Sequence, residues 1–125
     1  MLYHGSSVFF PTLKRKQAWG ADVPDLECLN AIYFTPDFGF ALLCAARPEG
    51  VTEVDHEGRT VHFEGKFDPA REVYVYYVDP SRIPESKRVW VDPLQIAAMI
   101  DEISPDGVER HLAGEICQYY SIIGE

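Results

Sequence analysis

The chain has 125 residues, 46% of them hydrophobic and 13% aromatic, which is the make-up of a folded domain rather than a disordered tail. Its length suits one domain over residues 1–125. Against 11 Lys and Arg stand 20 Asp and Glu, a formal charge of −9, which removes the electrostatic attraction that extended nucleic-acid binding depends on. Cys28, Cys44 and Cys117 are odd in number and form no CxxC pair, so neither a disulfide framework nor a zinc site is expected; with no leader-like start and no run of about 18 apolar residues, the expected setting is the cytoplasm.

In chain order, Leu2-Tyr3-His4 reads as a first strand running into Gly5-Ser6-Ser7, where small residues let the backbone turn. Residues 11 to 30 lack any period and read as a loop with one short helix, carrying the basic run Lys14-Arg15-Lys16. Ala31 to Phe34 is a second strand. A helix follows, with Thr35 as N-cap, Pro36 at the first helical position and a buried face of Phe38, Ala41, Leu42 and Ala45. Pro48 and Gly50 are its expected stop.

Thr52–Asp55 and Thr60–Phe63 flank the turn signal Glu57-Gly58 and predict a hairpin. Glu72 to Val78 is β-branched or aromatic almost throughout and predicts a central strand, with a shorter one at Arg88–Val91. Asp92-Pro93 with Ile96, Met99, Ile100 and Ile103 has a helix start and a helical face, so residues 93–103 are expected to be helical, a closing strand being the alternative. Residues 108–123 fit either type: Leu112, Ile116, Tyr119 and Ile123 have helical spacing, while Ile116–Tyr120 has strand composition.

His4 beside Gly5 puts a side-chain donor next to exposed main-chain N–H and C=O groups, a combination that can read an amide; a histidine packed at a strand end is the plainer alternative. Taken with Ile32-Tyr33-Phe34 and the helix after it, His4-Gly5-Ser6 resembles the His-Tyr-Glu class of ADP-ribosyltransferases, which includes poly(ADP-ribose) polymerases. In layout the chain is most similar to small bacterial rifampin ADP-ribosyltransferases. Val75-Tyr76-Tyr77-Val78-Asp79-Pro80 resembles their aromatic strand, and Asp92-Pro93-Leu94-Gln95-Ile96 a later segment. The likeness spans roughly residues 2 to 100, with gaps.

The resemblance implies an α+β fold, a small ADP-ribosyltransferase-like split β-sandwich with flanking helices, and NAD as co-substrate. It implies that His4 bonds a ribose hydroxyl, that Gly5 pairs with the nicotinamide carboxamide through its main chain, and that Tyr33 packs on the nicotinamide ring, with Ser6 and Phe34 lining the same pocket. Cleaving the nicotinamide–ribose bond builds positive charge on the sugar, which a carboxylate stabilises, as in glycoside cleavage. Glu85 is the expected acid, and His4, Tyr33 and Glu85 the expected catalytic set. Glu115 competes if Gly114-Glu115-Ile116-Cys117 is a strand; in a helix it would be a solvated glutamate.

Leu43 and Cys44 stand where the polymerase branch carries a second aromatic clamp. The expected function is mono-ADP-ribosylation of an unidentified protein, nucleic-acid end or small molecule. A non-catalytic nucleotide-binding or protein-interaction module on the same fold is the alternative. A tRNA 2′-phosphotransferase-like enzyme is a third, disfavoured by the acidic balance and the lack of suitably placed arginines. His56 and His62 have no ligand pattern beside them, His111 is expected at the surface, and Lys14-Arg15-Lys16 reads as a solvated loop or a pyrophosphate contact.

Overall fold

The structure is a computed structural model describing residues 1–17, 30–46, 52–63 and 67–123. Among these residues there are twelve short strands and one α-helix, so the fold is dominated by β-structure with one helix added. In order they are β1 Leu2–Ser6, β2 Leu13–Lys14, β3 Lys16–Gln17, β4 Asn30–Phe34, α1 Phe38–Ala46, β5 Thr52–Asp55 and β6 Thr60–Phe63. Then follow β7 Glu72–Val78, β8 Arg88–Asp92, β9 Gln95–Ala98, β10 Glu102–Ile103, β11 Gly107–Leu112 and β12 Ser121–Ile122. Three 3-10 turns, Pro80–Arg82, Glu85–Lys87 and Ala113–Gln118, connect or follow strands. The sheets have the orders β1-β7-β11, β10-β2, β12-β6-β5 and β3-β4-β9-β8.

The chain divides into two compact units, each drawn from three stretches: Met1–His4, Phe10–Asp37 and Tyr76–Val108 in the first; Gly5–Phe9, Phe38–Val75 and Glu109–Glu125 in the second. The first centres on antiparallel pairing of β9 with both β4 and β8, with Tyr33 opposite Ala97 and Val89 opposite the same alanine. Ile96, Ala97 and Ala98 are all buried, as a strand flanked on both sides requires. Arg88 ties the preceding loop to this sheet by donating to the carbonyls of Ile83 and Pro80.

Here the expected helix over residues 93–103 is overturned. Asp92-Pro93 opens a tight turn instead: Asp92 accepts from the Leu94 N–H at 2.8 Å and from the Gln95 amide at 2.7 Å, which turns the chain back as β9. Its apolar run could serve a helix or a central strand, and pairing with both neighbours decided for the strand. The expected loop at residues 11–30 is corrected where it is described, since β2 pairs with β10 and β3 with β4. Residues 18–29, where the short helix was expected, lie outside the described residues.

In the second unit α1 is buried at Gly39 through Leu43 and at Ala45 and Ala46, more widely than one apolar stripe. It begins at Phe38 rather than just after Thr35. Thr35 is held in a bridge to Tyr3, with Tyr3 N–H to Thr35 O at 2.8 Å and the return bond at 2.9 Å, and so belongs to the strand pairing that precedes the helix. Its hydroxyl accepts the Asp37 N–H at 3.0 Å, so the residue does act at this junction, two residues before the N-cap position Asp37. The expected stop at Pro48 and Gly50 lies outside the described residues. Arg71 reaches the other end, donating to Ala46 O at 2.9 Å and Ala45 O at 3.4 Å, where the last helical carbonyls lack partners within the helix.

The β5–β6 hairpin has the expected limits, Thr52 opposite Phe63 and Asp55 opposite Thr60. Asp55 Oδ1 accepts from the N–H groups of Glu57 and Gly58, both at 3.1 Å. Arg59, rather than the glycine, takes the left-handed backbone at φ 53°. Its cost is offset by anchoring: the guanidinium lies 4.2 Å from the centre of the Tyr120 ring and Nε donates to Tyr119 O. The tail resolves the two alternatives for 108–123 by using both, as strand β11, the 3-10 turn Ala113–Gln118 and then β12 parallel to β6.

Candidate functional site

Part of each motif that suggested a site lies in the first unit, His4 from one and Ile32-Tyr33-Phe34 from the other. The Tyr3–Thr35 bridge sets β1 beside the end of β4, and the next residue, His4, donates from Nδ1 to the Tyr33 carbonyl at 2.7 Å across 29 positions of sequence. A carbonyl only accepts, so the hydrogen is assigned to Nδ1, and in the neutral ring Nε2 is then an acceptor. The imidazole packs edge-on to Phe34 at 6.0 Å between centroids and tilted to Tyr76 at 6.1 Å. Phe34 and Tyr76 are buried, while His4 and Tyr33 are half-buried. The half-buried histidine is thus held in part by a directed bond to Tyr33 and by ring contacts with Phe34 and Tyr76.

Tyr33 lies between Ile32 and Phe34, both buried in β4. Strand alternation therefore carries its side chain to the opposite face from theirs. Phe34 supports His4 from within the core; it offers little surface of its own.

Gly5 and Ser6 belong to the second unit. A Cβ on Gly5 would stand 1.9 Å from the Ala41 carbonyl oxygen of α1, so helix packing alone requires a glycine here, whatever its main chain binds. The Ser6 hydroxyl accepts the Val8 N–H at 3.1 Å and closes the turn after β1.

The acids fare differently. Glu85 opens the 3-10 turn Glu85–Lys87 and is exposed; among the described residues no hydrogen bond or ion pair joins it to His4 or Tyr33. Glu115 sits in the 3-10 turn Ala113–Gln118 rather than on a strand, which removes the condition under which it was the competing acid. It is nevertheless more than a solvated glutamate. Its Oε2 accepts the Leu112 N–H at 2.6 Å and its Oε1 meets His111 Nδ1 at 3.1 Å. The Leu112 bond first, then His111, holds the Glu115 carboxyl below its ordinary value.

His111 is the residue that sequence reasoning missed. Expected at the surface, it is only 18% exposed in its side chain and lies between Glu115 and Glu109, whose Oε1 is 3.0 Å from Nε2. Its ring also packs edge-on to Phe38 at 5.4 Å. Partial burial opposes its charge, yet the hydrogen bonds and negative charges of Glu115 and Glu109 prevail and raise its pKa. The i, i+4 spacing of His111 and Glu115 and the i, i+2 spacing of Glu109 and His111 were legible signals, masked by not knowing where strand gave way to turn.

The basic run is largely compensated: Arg15 pairs with Asp101 at 3.2 Å, and Lys14 lies opposite Glu102 in the β2–β10 pairing. His56 packs against Phe40, and His62 bonds the Ile123 carbonyl at 3.0 Å. Among the described residues no cluster of three or more His, Cys, Asp or Glu side chains could hold a metal ion, and no helix is long and apolar enough to cross a membrane. No protein-family model, curated protein or solved structure matches the chain.

Proposed function

We propose that the protein is a mono-ADP-ribosyltransferase that takes NAD as co-substrate, releases nicotinamide and passes ADP-ribose to an acceptor, on a small split β-sandwich of the ADP-ribosyltransferase type. The observation that carries this reading is the 2.7 Å bond from His4 to the Tyr33 carbonyl. It joins the two motifs on which the resemblance rests, and a bond across that separation is not dictated by either motif alone. In this reading His4 bonds a ribose hydroxyl and the half-buried Tyr33 lies against the nicotinamide ring. Phe34 supports His4 from its buried place in β4. Glu85 is the carboxylate proposed to stabilise charge on the ribose; being exposed, it acts only if NAD binding brings the sugar to it.

A second reading, a nucleotide-binding module without catalysis, is favoured by one specific observation: Glu115, the competing acid, is already engaged by the Leu112 N–H and His111. Nicotinamide release from NAD by the purified protein separates the two. For the transferase, His4→Ala and Tyr33→Ala each lower release, Glu85→Gln lowers it by at least about a hundredfold, the low end for loss of one charge-stabilising group, and Glu115→Gln leaves it unchanged. Saturable NAD binding with no release by the wild type would favour the module.

A further inference from the structure

The sheet β3-β4-β9-β8 of the first unit ends at β8, and among the described residues no strand lies beyond it. The register decides which way the main chain of that edge points. The Met99 N–H bonds the Lys87 carbonyl at 2.7 Å, just outside the Arg88–Ala98 pair. Bonded and open positions alternate along an antiparallel pair, so Val89 turns its N–H and C=O towards β9 while Trp90 turns both outward. The Arg88 N–H also points outward, but the Glu85 carbonyl of the preceding turn uses it. Trp90 is left with a donor and an acceptor side by side at the middle of an open edge.

Sheet edges are ordinarily blunted by a lysine, a proline or a bulge. A bulge does follow Trp90. The middle position itself is a tryptophan that is 57% exposed, more than any other large hydrophobic residue among those described. Trp90 lies opposite Ile96, and Ile96 opposite Phe34, so the three share one face of the sheet. Ile96 and Phe34 are buried. The apolar face therefore runs from the core to the edge and stops there uncovered.

The side chains of β8 complement themselves. In Arg88-Val89-Trp90-Val91-Asp92, valines flank the tryptophan and opposite charges stand at the two ends. Laid antiparallel on a second copy about Trp90, the strand sets valine opposite valine and arginine opposite aspartate twice, and no like charges meet. Both charges stand uncompensated within the chain. Arg88 donates to the carbonyls of Ile83 and Pro80, and Asp92 accepts from the Leu94 N–H and the Gln95 amide, all of them neutral partners.

We infer that β8 is an interface for a second copy of this chain, paired antiparallel about Trp90. The two Trp90 residues exchange a pair of main-chain N–H to C=O bonds, and their rings meet on the face continued from Phe34 and Ile96. The four-stranded sheet then runs on into its copy. The inference does not depend on the nucleotide reading.

An edge of 5 residues makes a small interface, so association is expected at about tens of micromolar. Sedimentation velocity over a concentration series reaching roughly 1 mM, the scale of weak association, tests it. Trp90→Lys removes the ring and sets like charges face to face. It should weaken association at least about thirtyfold, the scale for losing an aromatic anchor at the centre of an interface, while Trp90→Phe stays close to wild type. Phe9→Lys alters an exposed ring of the second unit and should change nothing. In the wild type, the Trp90 amide should exchange with solvent more slowly at dimeric than at monomeric concentrations. A wild type that stays monomeric throughout would overturn the inference, as would a dimer that a folded Trp90→Lys protein keeps. A dimer lost with Phe9→Lys instead puts the interface on the loop after β1 and overturns it equally. Should Trp90→Lys fail to fold, the amide carries the test: an exchange rate independent of concentration refutes pairing at β8.

Discussion

His4 and His111 are placed by opposite means. His4 donates to a neutral carbonyl and packs between aromatic rings, whereas His111 is clasped by two carboxylates. The second arrangement has a pH signature. The raised pKa of His111 means that its charge adds stability fully present below its ordinary 6.5 and lost as pH rises through the raised value. The lowered pKa of Glu115 means that its contribution is present above its ordinary 4.5 and lost as pH falls through the lowered value. Both act together between those two ordinary values. Thermal melting of His111→Gln should therefore fall below wild type by the widest margin near about pH 5.5, midway between those two values, and the margin should shrink as pH rises through the raised pKa of His111. A margin independent of pH would contradict the ion-pair account.

At the scale of elements, the β8–β9 turn depends on one carboxylate. Asp92 holds both the Leu94 N–H and the Gln95 amide, so Asp92→Ala should destabilise the protein by about 1–2 kcal/mol, the range for losing such bonds, read as a lower urea midpoint with unchanged slope. An unchanged midpoint would show that the turn forms without it. This same residue explains part of what the sequence concealed. Asp-Pro starts turns as well as helices, and Ile96-Ala97-Ala98 is buried in a central strand and so shows no alternation to reveal its type. The β5–β6 hairpin was legible because Val61 and Phe63 alternate with half-buried Thr60 and His62 around a polar turn. The motif strands β1 and β4 were legible too, whereas the His4–Tyr33 bond was not, because it joins residues 29 apart that only the folded chain brings together. Glu85 could not be placed from sequence, because nothing in Pro84-Glu85-Ser86 encodes which way an exposed turn residue faces.

For the whole molecule, the charge of −9 and the pairing of Arg15 with Asp101 leave little to attract a polyanion. Neither unit is a continuous piece of chain. In the second, α1 and the β5–β6 hairpin share a core with the tail, which contributes the buried Ile116 and Tyr120 and the strand β12. A chain ending at Val108 should accordingly lose the cooperative melting transition seen by far-ultraviolet circular dichroism, the expected result when large buried side chains and a paired strand are removed together. Retention of a cooperative transition at the wild-type temperature would show that the tail adds nothing to that core.

The central claim is that the His4–Tyr33 pair belongs to a pocket for a nicotinamide nucleotide. Its most direct test is calorimetric titration of the wild type and His4→Ala with NAD, with the melting curve of each recorded alongside. Saturable binding by the wild type, abolished in a His4→Ala protein that melts as a folded chain, is the expected result. Absence of NAD binding by the wild type, or equal binding by both proteins, would contradict the claim.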